Sequence, residues 1–121
     1  MSRRVSIILL DDARERYEVL SRIAKGQQIK GTTKNEAEQV IRSLNKKKQI
    51  LQVDPTYGDK IQKEKRPPEL VERYGADKAF FRLDLAMYWR AVYYLQGSKD
   101  ELYCVLVKIL THPEYDTLFG Y

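Results

Sequence analysis

Histidine and cysteine are almost absent from this chain: His112 and Cys104 are the only ones in 121 residues. A single cysteine makes no intramolecular disulfide, and one of each leaves too few ligands for a dedicated zinc site. There is no glycine-rich phosphate loop, no paired-carboxylate signature and no metal-binding cluster, so neither metal nor cofactor is expected. No apolar run approaches the ~20 residues that span a bilayer. The longest, Val5 to Leu10, lacks the length and the small-residue cleavage site of a secretory signal. The chain is therefore expected to be cytoplasmic, with no membrane partner. Cys104 falls among valines and leucines, where it reads as a small buried hydrophobe. A Cys/His nucleophile pair with His112 is the alternative.

What is abundant is positive charge. The hydrophobic content of 43% and charged content of 32% suit a globular chain, and the length fits one domain over residues 1–121. Lys and Arg number 22 against 17 Asp and Glu, a net charge of +5. The excess is uneven. Residues 1–84 carry 19 basic and 13 acidic side chains, whereas residues 85–121 carry 3 and 4. The basic side is densest from Lys46 to Arg66. Such asymmetry favours an anionic partner, nucleic acid first and an acidic protein second.

Val5 to Leu10 has the β-branched content of a buried strand. Asp11 and Asp12 are N-cap candidates for a helix over about 12–25, with Ala13, Tyr17, Leu20, Ile23 and Ala24 on one face. Thr33 and Glu36 fit a capping box that opens a second helix over about 34–52. Within it Lys46, Lys47 and Lys48 either complement the helix dipole or track phosphates. Pro55 ends this helix, since proline disfavours a helical residue before it. The segment from Pro55 to Pro68 is polar, with Ile61 its one aliphatic residue, and reads as loop or edge rather than core. Pro68 to Tyr74 forms a two-turn helix closed by Gly75.

From Ala79 onward the period changes to two. In 79–85 Phe81, Leu83 and Leu85 oppose Phe80, Arg82 and Asp84; in 89–96 Trp89, Ala91, Tyr93 and Leu95 oppose Arg90, Val92, Tyr94 and Gln96. Residues 101–111 are apolar on both faces except at Lys108, the pattern of a central strand. Short connections imply an antiparallel meander, and the tail from His112 begins with a strand-to-helix transition at Pro113. The expected class is α+β: an N-terminal helical hairpin packed on a small twisted, mainly antiparallel sheet.

Arginines inside apolar strands need a reason. Arg90 and Arg82 can fork onto a phosphate or form ion pairs with Asp84 or Glu101. His112 is a candidate acid or base. Tyr115 and Tyr121 can stack on bases or donate a hydroxyl proton. Arginine, lysine, histidine and tyrosine without a metal suit RNA cleavage, where the substrate brings its own 2′-hydroxyl nucleophile.

The order strand, helical hairpin, basic loop, meander resembles the RelE/ParE superfamily of bacterial and archaeal type II toxins. The likeness is strongest to the ribosome-dependent mRNA interferases of RelE type, in a branch associated with archaea. It rests on Asp54-Pro-Thr-Tyr-Gly-Asp-Lys-Ile61, Phe81-Arg-Leu-Asp-Leu85, Trp89-Arg-Ala-Val-Tyr-Tyr94 and the ending from Thr111 to Tyr121. The resemblance implies catalytic roles for Arg90, Arg82, His112 and, less directly, Tyr115, and RNA binding or activation by Lys60 and Lys63; the charge pattern adds Lys65, Lys46, Lys47 and Lys48 as RNA-binding candidates. It implies the ribosome and mRNA as targets and a cognate antitoxin as partner. A ParE-like gyrase inhibitor and a catalytically silent RNA- or protein-binding member of the fold are the alternatives. His112 and Tyr115 stand apart here, whereas some members have the two adjacent, and the segment from Lys65 to Gly75 is longer than in compact members. In geometric terms, Arg82, Arg90 and His112 are expected to open onto one concave basic face, bordered by the Lys60 to Lys65 loop.

Overall fold

The computed structural model describes residues 3–121. Its class is α+β, with four helices and a five-stranded mixed sheet. The strands are β1 (Arg4–Leu9), β2 (Asp59–Lys60), β3 (Phe80–Asp84), β4 (Arg90–Gly97) and β5 (Glu101–Leu110). The helices are α1 (Asp11–Ala24), α2 (Lys34–Val53), α3 (Pro68–Tyr74) and α4 (His112–Phe119). Sheet order is β1-β5-β4-β3-β2. The meander β3-β4-β5 is antiparallel as expected, but β1 joins β5 in parallel, Arg4 opposite Glu101 and Leu9 opposite Leu106. The helical pair therefore does not open the chain. β1 precedes it and supplies an edge of the same sheet.

Alternation gives the sheet two apolar faces, and each is covered. Leu83, Trp89, Ala91, Tyr93, Cys104, Leu106 and Ile109 meet Leu20, Ile23, Val40, Leu44 and Leu51 of α1 and α2. Phe80, Val92, Tyr94, Val105 and Val107 meet Leu70 of α3 and Tyr115 of α4. Ile61 belongs to this second core, its N–H bonded to the Phe80 carbonyl at 2.9 Å. The segment read as loop or edge thus contributes one edge strand and one core residue. Burying a leucine such as Leu44 contributes about 1.5–3 kcal/mol of transfer free energy.

Local signals were partly redirected by tertiary contacts. Neither Asp11 nor Asp12 caps α1; the N-cap is Leu10, without a side-chain bond. Asp11 instead takes the left-handed conformation, φ 52°, that a short polar side chain tolerates, and turns β1 into α1. Its carboxylate accepts from the Tyr74 hydroxyl at 2.8 Å, while Asp12 accepts from Lys108 at 2.6 Å. Thr33 caps α2 by accepting from the Glu36 N–H at 3.1 Å, but the Glu36 carboxylate accepts from the Trp89 indole at 2.8 Å rather than returning to Thr33. The reciprocal box forms at α4, between Thr111 and Glu114. Gly120 then ends α4 in the left-handed region at φ 76°. A bulge in β5 leaves Val107 unpaired, because Val92 faces Lys108 and Tyr93 faces Leu106.

Candidate functional site

Strand register decides whether the two arginines meet. Arg82 lies opposite Val92 and Asp84 opposite Arg90, so period-two alternation puts Arg82, Asp84 and Arg90 on the face covered by α3 and α4. Asp59, in β2, is the cross-strand partner of Arg82. The result is a line of alternating charge. Arg82 Nη2 is 2.8 Å from Asp59 Oδ2, Arg82 Nε is 3.3 Å from Asp84 Oδ1, and Arg90 Nε is 3.7 Å from the same oxygen. The Asp84 pairing anticipated for both arginines is present; Glu101 faces Arg4 instead, at 3.9 Å.

α4 lays Tyr115 across this line. The Tyr115 side chain is buried, and the Arg90 guanidinium carbon sits 4.7 Å from its ring centroid. Tyr115 and Arg82 line the same cavity. Burial pushes the Tyr115 pKa above its ordinary value, with the neighbouring Arg82 opposing in part, so the phenol keeps its proton at neutral pH. Burial alone would lower the Arg82 pKa, yet Tyr115, Asp84 and Asp59 together raise it. Arg82 Nε is shut off from solvent and has an ion-pair contact but no hydrogen-bond acceptor.

Beside these groups is a cavity of about 210 Å³. Lys60, Lys65 and Arg82 line it with positive charge, and Asp59 is the one acidic side chain among the lining residues. Tyr115, Phe119 and Tyr121 form its aromatic wall, Phe119 stacked on Tyr115 at 4.2 Å and Tyr121 at 6.2 Å from Phe119. Tyr121 is 70% exposed. A net positive pocket with a flat aromatic wall suits a phosphodiester and an adjoining base.

The remaining expected site residues scatter. Arg90 lies behind the Tyr115 ring and does not line the cavity. His112 is not among the lining residues either; it is the first residue of α4, with Nε2 3.2 Å from Asp116 Oδ2. The single concave face expected for Arg82, Arg90 and His112 therefore holds Arg82 alone of the three, together with Tyr115, the fourth expected catalytic residue. Lys63 lies in the same single helical turn as Lys65 but outside the lining. The lysine run divides: Lys46 is exposed, Lys47 Nζ donates to the Tyr57 hydroxyl at 3.1 Å, and Lys48 Nζ sits 5.4 Å from the Tyr17 ring centroid. None is in the last turn of α2, which removes the dipole reading. Cys104 is fully buried on the α1/α2 side, its thiol pushed up to about 11 by burial, so it forms no nucleophile pair with His112.

Asp59, Gln62 and Phe119 are site residues that sequence reasoning missed. For Asp59 the signal was too short to see, because a two-residue strand carries no alternation. Compared with family models, with curated proteins and with solved structures, the chain matches none.

Proposed function

We propose that the chain is a RelE-type, ribosome-dependent mRNA endonuclease whose reaction centre is the cavity between Arg82 and Tyr115. The observation that supports this most is the Arg82 guanidinium in the wall of a cavity that Lys60 and Lys65 also line. A phosphate oxygen is the acceptor that the surrounding positive charge favours. In the proposed reaction the 2′-hydroxyl loses its proton and O2′ bonds to phosphorus. The P–O5′ bond breaks and O5′ is protonated, giving a 2′,3′-cyclic phosphate and a 5′-hydroxyl end. Arg82 and the lysines stabilise the charge that builds on the phosphorane. Tyr115, protonated at neutral pH, donates its proton to O5′. Asp59 is the carboxylate that the cavity offers for the 2′-hydroxyl proton. Arg90 positions Tyr115 through its ring. In this reading His112 takes no part in proton transfer. A cognate antitoxin protein would cover the same face.

The test is cleavage of mRNA in the A site of programmed ribosomes. Arg82→Ala and Tyr115→Phe are expected to lower the rate by about 100-fold or more. Intact message in the presence of an active control toxin, or equal cutting by Arg82→Ala, defeats the proposal. A second reading, RNA binding without cleavage, is favoured by the two carboxylates already drawn up to Arg82. It predicts salt-dependent RNA binding with no product. A DNA-damage response with intact message would instead favour the gyrase-inhibitor alternative.

A further inference from the structure

Arg82 and Asp59 are a partition rather than a floor. On their other side lies a second cleft, of about 300 Å³, shared with Lys47, Tyr57 and Asp84. That volume is at the low end for small-molecule pockets, about 300–1,000 Å³. The two clefts differ in charge. The first sets Lys60, Lys65 and Arg82 against Asp59. The second balances Lys47 and Arg82 with Asp59 and Asp84, and so offers a phosphate no net attraction.

What the second cleft offers is a platform and acceptors. Tyr57 is 43% exposed, and its hydroxyl is pinned by Lys47. Asp84 turns Oδ1 toward Arg82 and Arg90; its Oδ2 has no side-chain partner among the described residues. Asp59 likewise commits Oδ2 to Arg82 and leaves Oδ1. We infer that this cleft is a nucleobase pocket, with Tyr57 stacking on the base and Asp84 reading N–H donors on its Watson–Crick edge. This assignment rests on the proposed RNA reading and adds a base preference to it. The remaining oxygen, Asp84 Oδ2, has two lone pairs and is matched best by guanine, which presents N1–H and N2–H₂ side by side. Cytosine and adenine present one amino group each. Uracil presents a single N–H between two carbonyl oxygens, which repel a carboxylate.

The test uses the full chain and fluorescent hexauridine RNAs, 2′-O-methylated to prevent attack, with one central base varied. Anisotropy at low salt is expected to show the guanine hexamer binding about tenfold more tightly than all-uridine RNA. Inosine, which lacks the 2-amino group, is expected in between. Asp84→Asn is expected to erase most of this preference, and Tyr57→Ala to weaken binding of the guanine hexamer. Circular dichroism of both variants checks that they fold. Equal affinity for all bases, with binding still dependent on Arg82 and Lys65, overturns the base pocket and leaves the phosphate site standing. A preference unchanged in both variants overturns it too. No salt-sensitive binding of any hexamer overturns the pocket and the RNA reading together.

Discussion

Replacing Tyr93 with phenylalanine removes one oxygen atom from a side chain with no exposed surface, and the structure says what that oxygen holds. The Tyr93 hydroxyl donates to the Pro55 carbonyl at 2.9 Å and accepts from the Gly58 N–H at 3.0 Å. It thereby ties the segment that carries Tyr57, Asp59 and Lys60 to β4. Gly58 allows the approach: a Cβ there would stand 2.8 Å from the Arg82 carbonyl oxygen and 2.9 Å from the Tyr93 hydroxyl. The ring itself, stacked on Phe81 at 5.1 Å, survives the substitution, so no cavity term enters. What is lost is two hydrogen bonds, whose backbone partners are half-buried and recover some hydration. At ~1 kcal/mol net per bond, the cost is about 1–2 kcal/mol. For a chain of this size that lowers Tm by roughly 3–8 °C. Urea and thermal unfolding of Tyr93→Phe measure the loss, and amide hydrogen exchange at Gly58 locates it. Tyr94→Phe is the control, since the Tyr94 hydroxyl makes no hydrogen bond to the described residues and its loss should cost under about 0.5 kcal/mol. Equal stability of the two variants, or unchanged exchange at Gly58 in Tyr93→Phe, refutes the reasoning.

Lys108 is almost fully buried between Asp12 at 2.6 Å and Glu69 at 3.2 Å, linking β5 to α1 and α3. Because both carboxylates are half exposed and can rehydrate, Lys108→Ala should cost about 1–3 kcal/mol, below the full penalty of a broken buried pair. Lys108→Met, which keeps the packing, should lie closer to wild type in urea unfolding; the reverse order would contradict the assignment. Acid should weaken the fold through two carboxylates. The bond from Lys108 lowers the Asp12 pKa below its ordinary 3.8, and for Glu114 the bonds from Arg16 and Thr111 outweigh burial and lower it below 4.5. Depressed folded pKa values stabilise above the ordinary carboxylate range, and that contribution disappears as pH falls through them. The urea midpoint should therefore hold from neutrality to about pH 5 and fall below about pH 4. Arg16→Gln should shrink the fall, and an unchanged acid limb would exclude Glu114 as a contributor. Cys104 should resist a thiol reagent until the chain unfolds; labelling faster than unfolding would place it nearer the surface.

The parts of the fold that were legible in sequence are those set by local period. Both faces of β3 and β4 followed from alternation, α1 and α2 from three- and four-residue spacing, and the end of α3 from Gly75. What was not legible depends on partners distant in the chain. A parallel neighbour for β1 cannot be read from β1 itself: its apolar run suggested a buried strand, whereas β1 is an edge strand with no buried residue, Ile8 being 37% exposed. Glu36 carries a capping signature, but the nearby indole N–H of Trp89 competes for its carboxylate. Asp11 and Asp12 likewise answer to Tyr74 and Lys108 rather than to their own helix. In the site, alternation left Arg82 and Arg90 free to share a face, and register made them do so. His112 was singled out for its chemistry, yet at the first position of α4 it points to Asp116, while Tyr115, one turn on, lines the cavity with Arg82.

The parallel pairing of β1 with β5 also sets an order of events. Arg4 finds its strand partner only at Glu101, so the loop that closes the sheet encloses most of the chain. Closing so long a loop adds little to the equilibrium cost, which grows only with the logarithm of length, but it slows the search. During synthesis the first strand and the two long helices are made while the strand that seals their core does not yet exist. The cavity follows the same order: Arg82 is made before Tyr115, and neither is held in place until the sheet has formed. Until β5 and α4 have been made, the apolar faces of α1 and α2 lack their cover and the cavity lacks its aromatic wall.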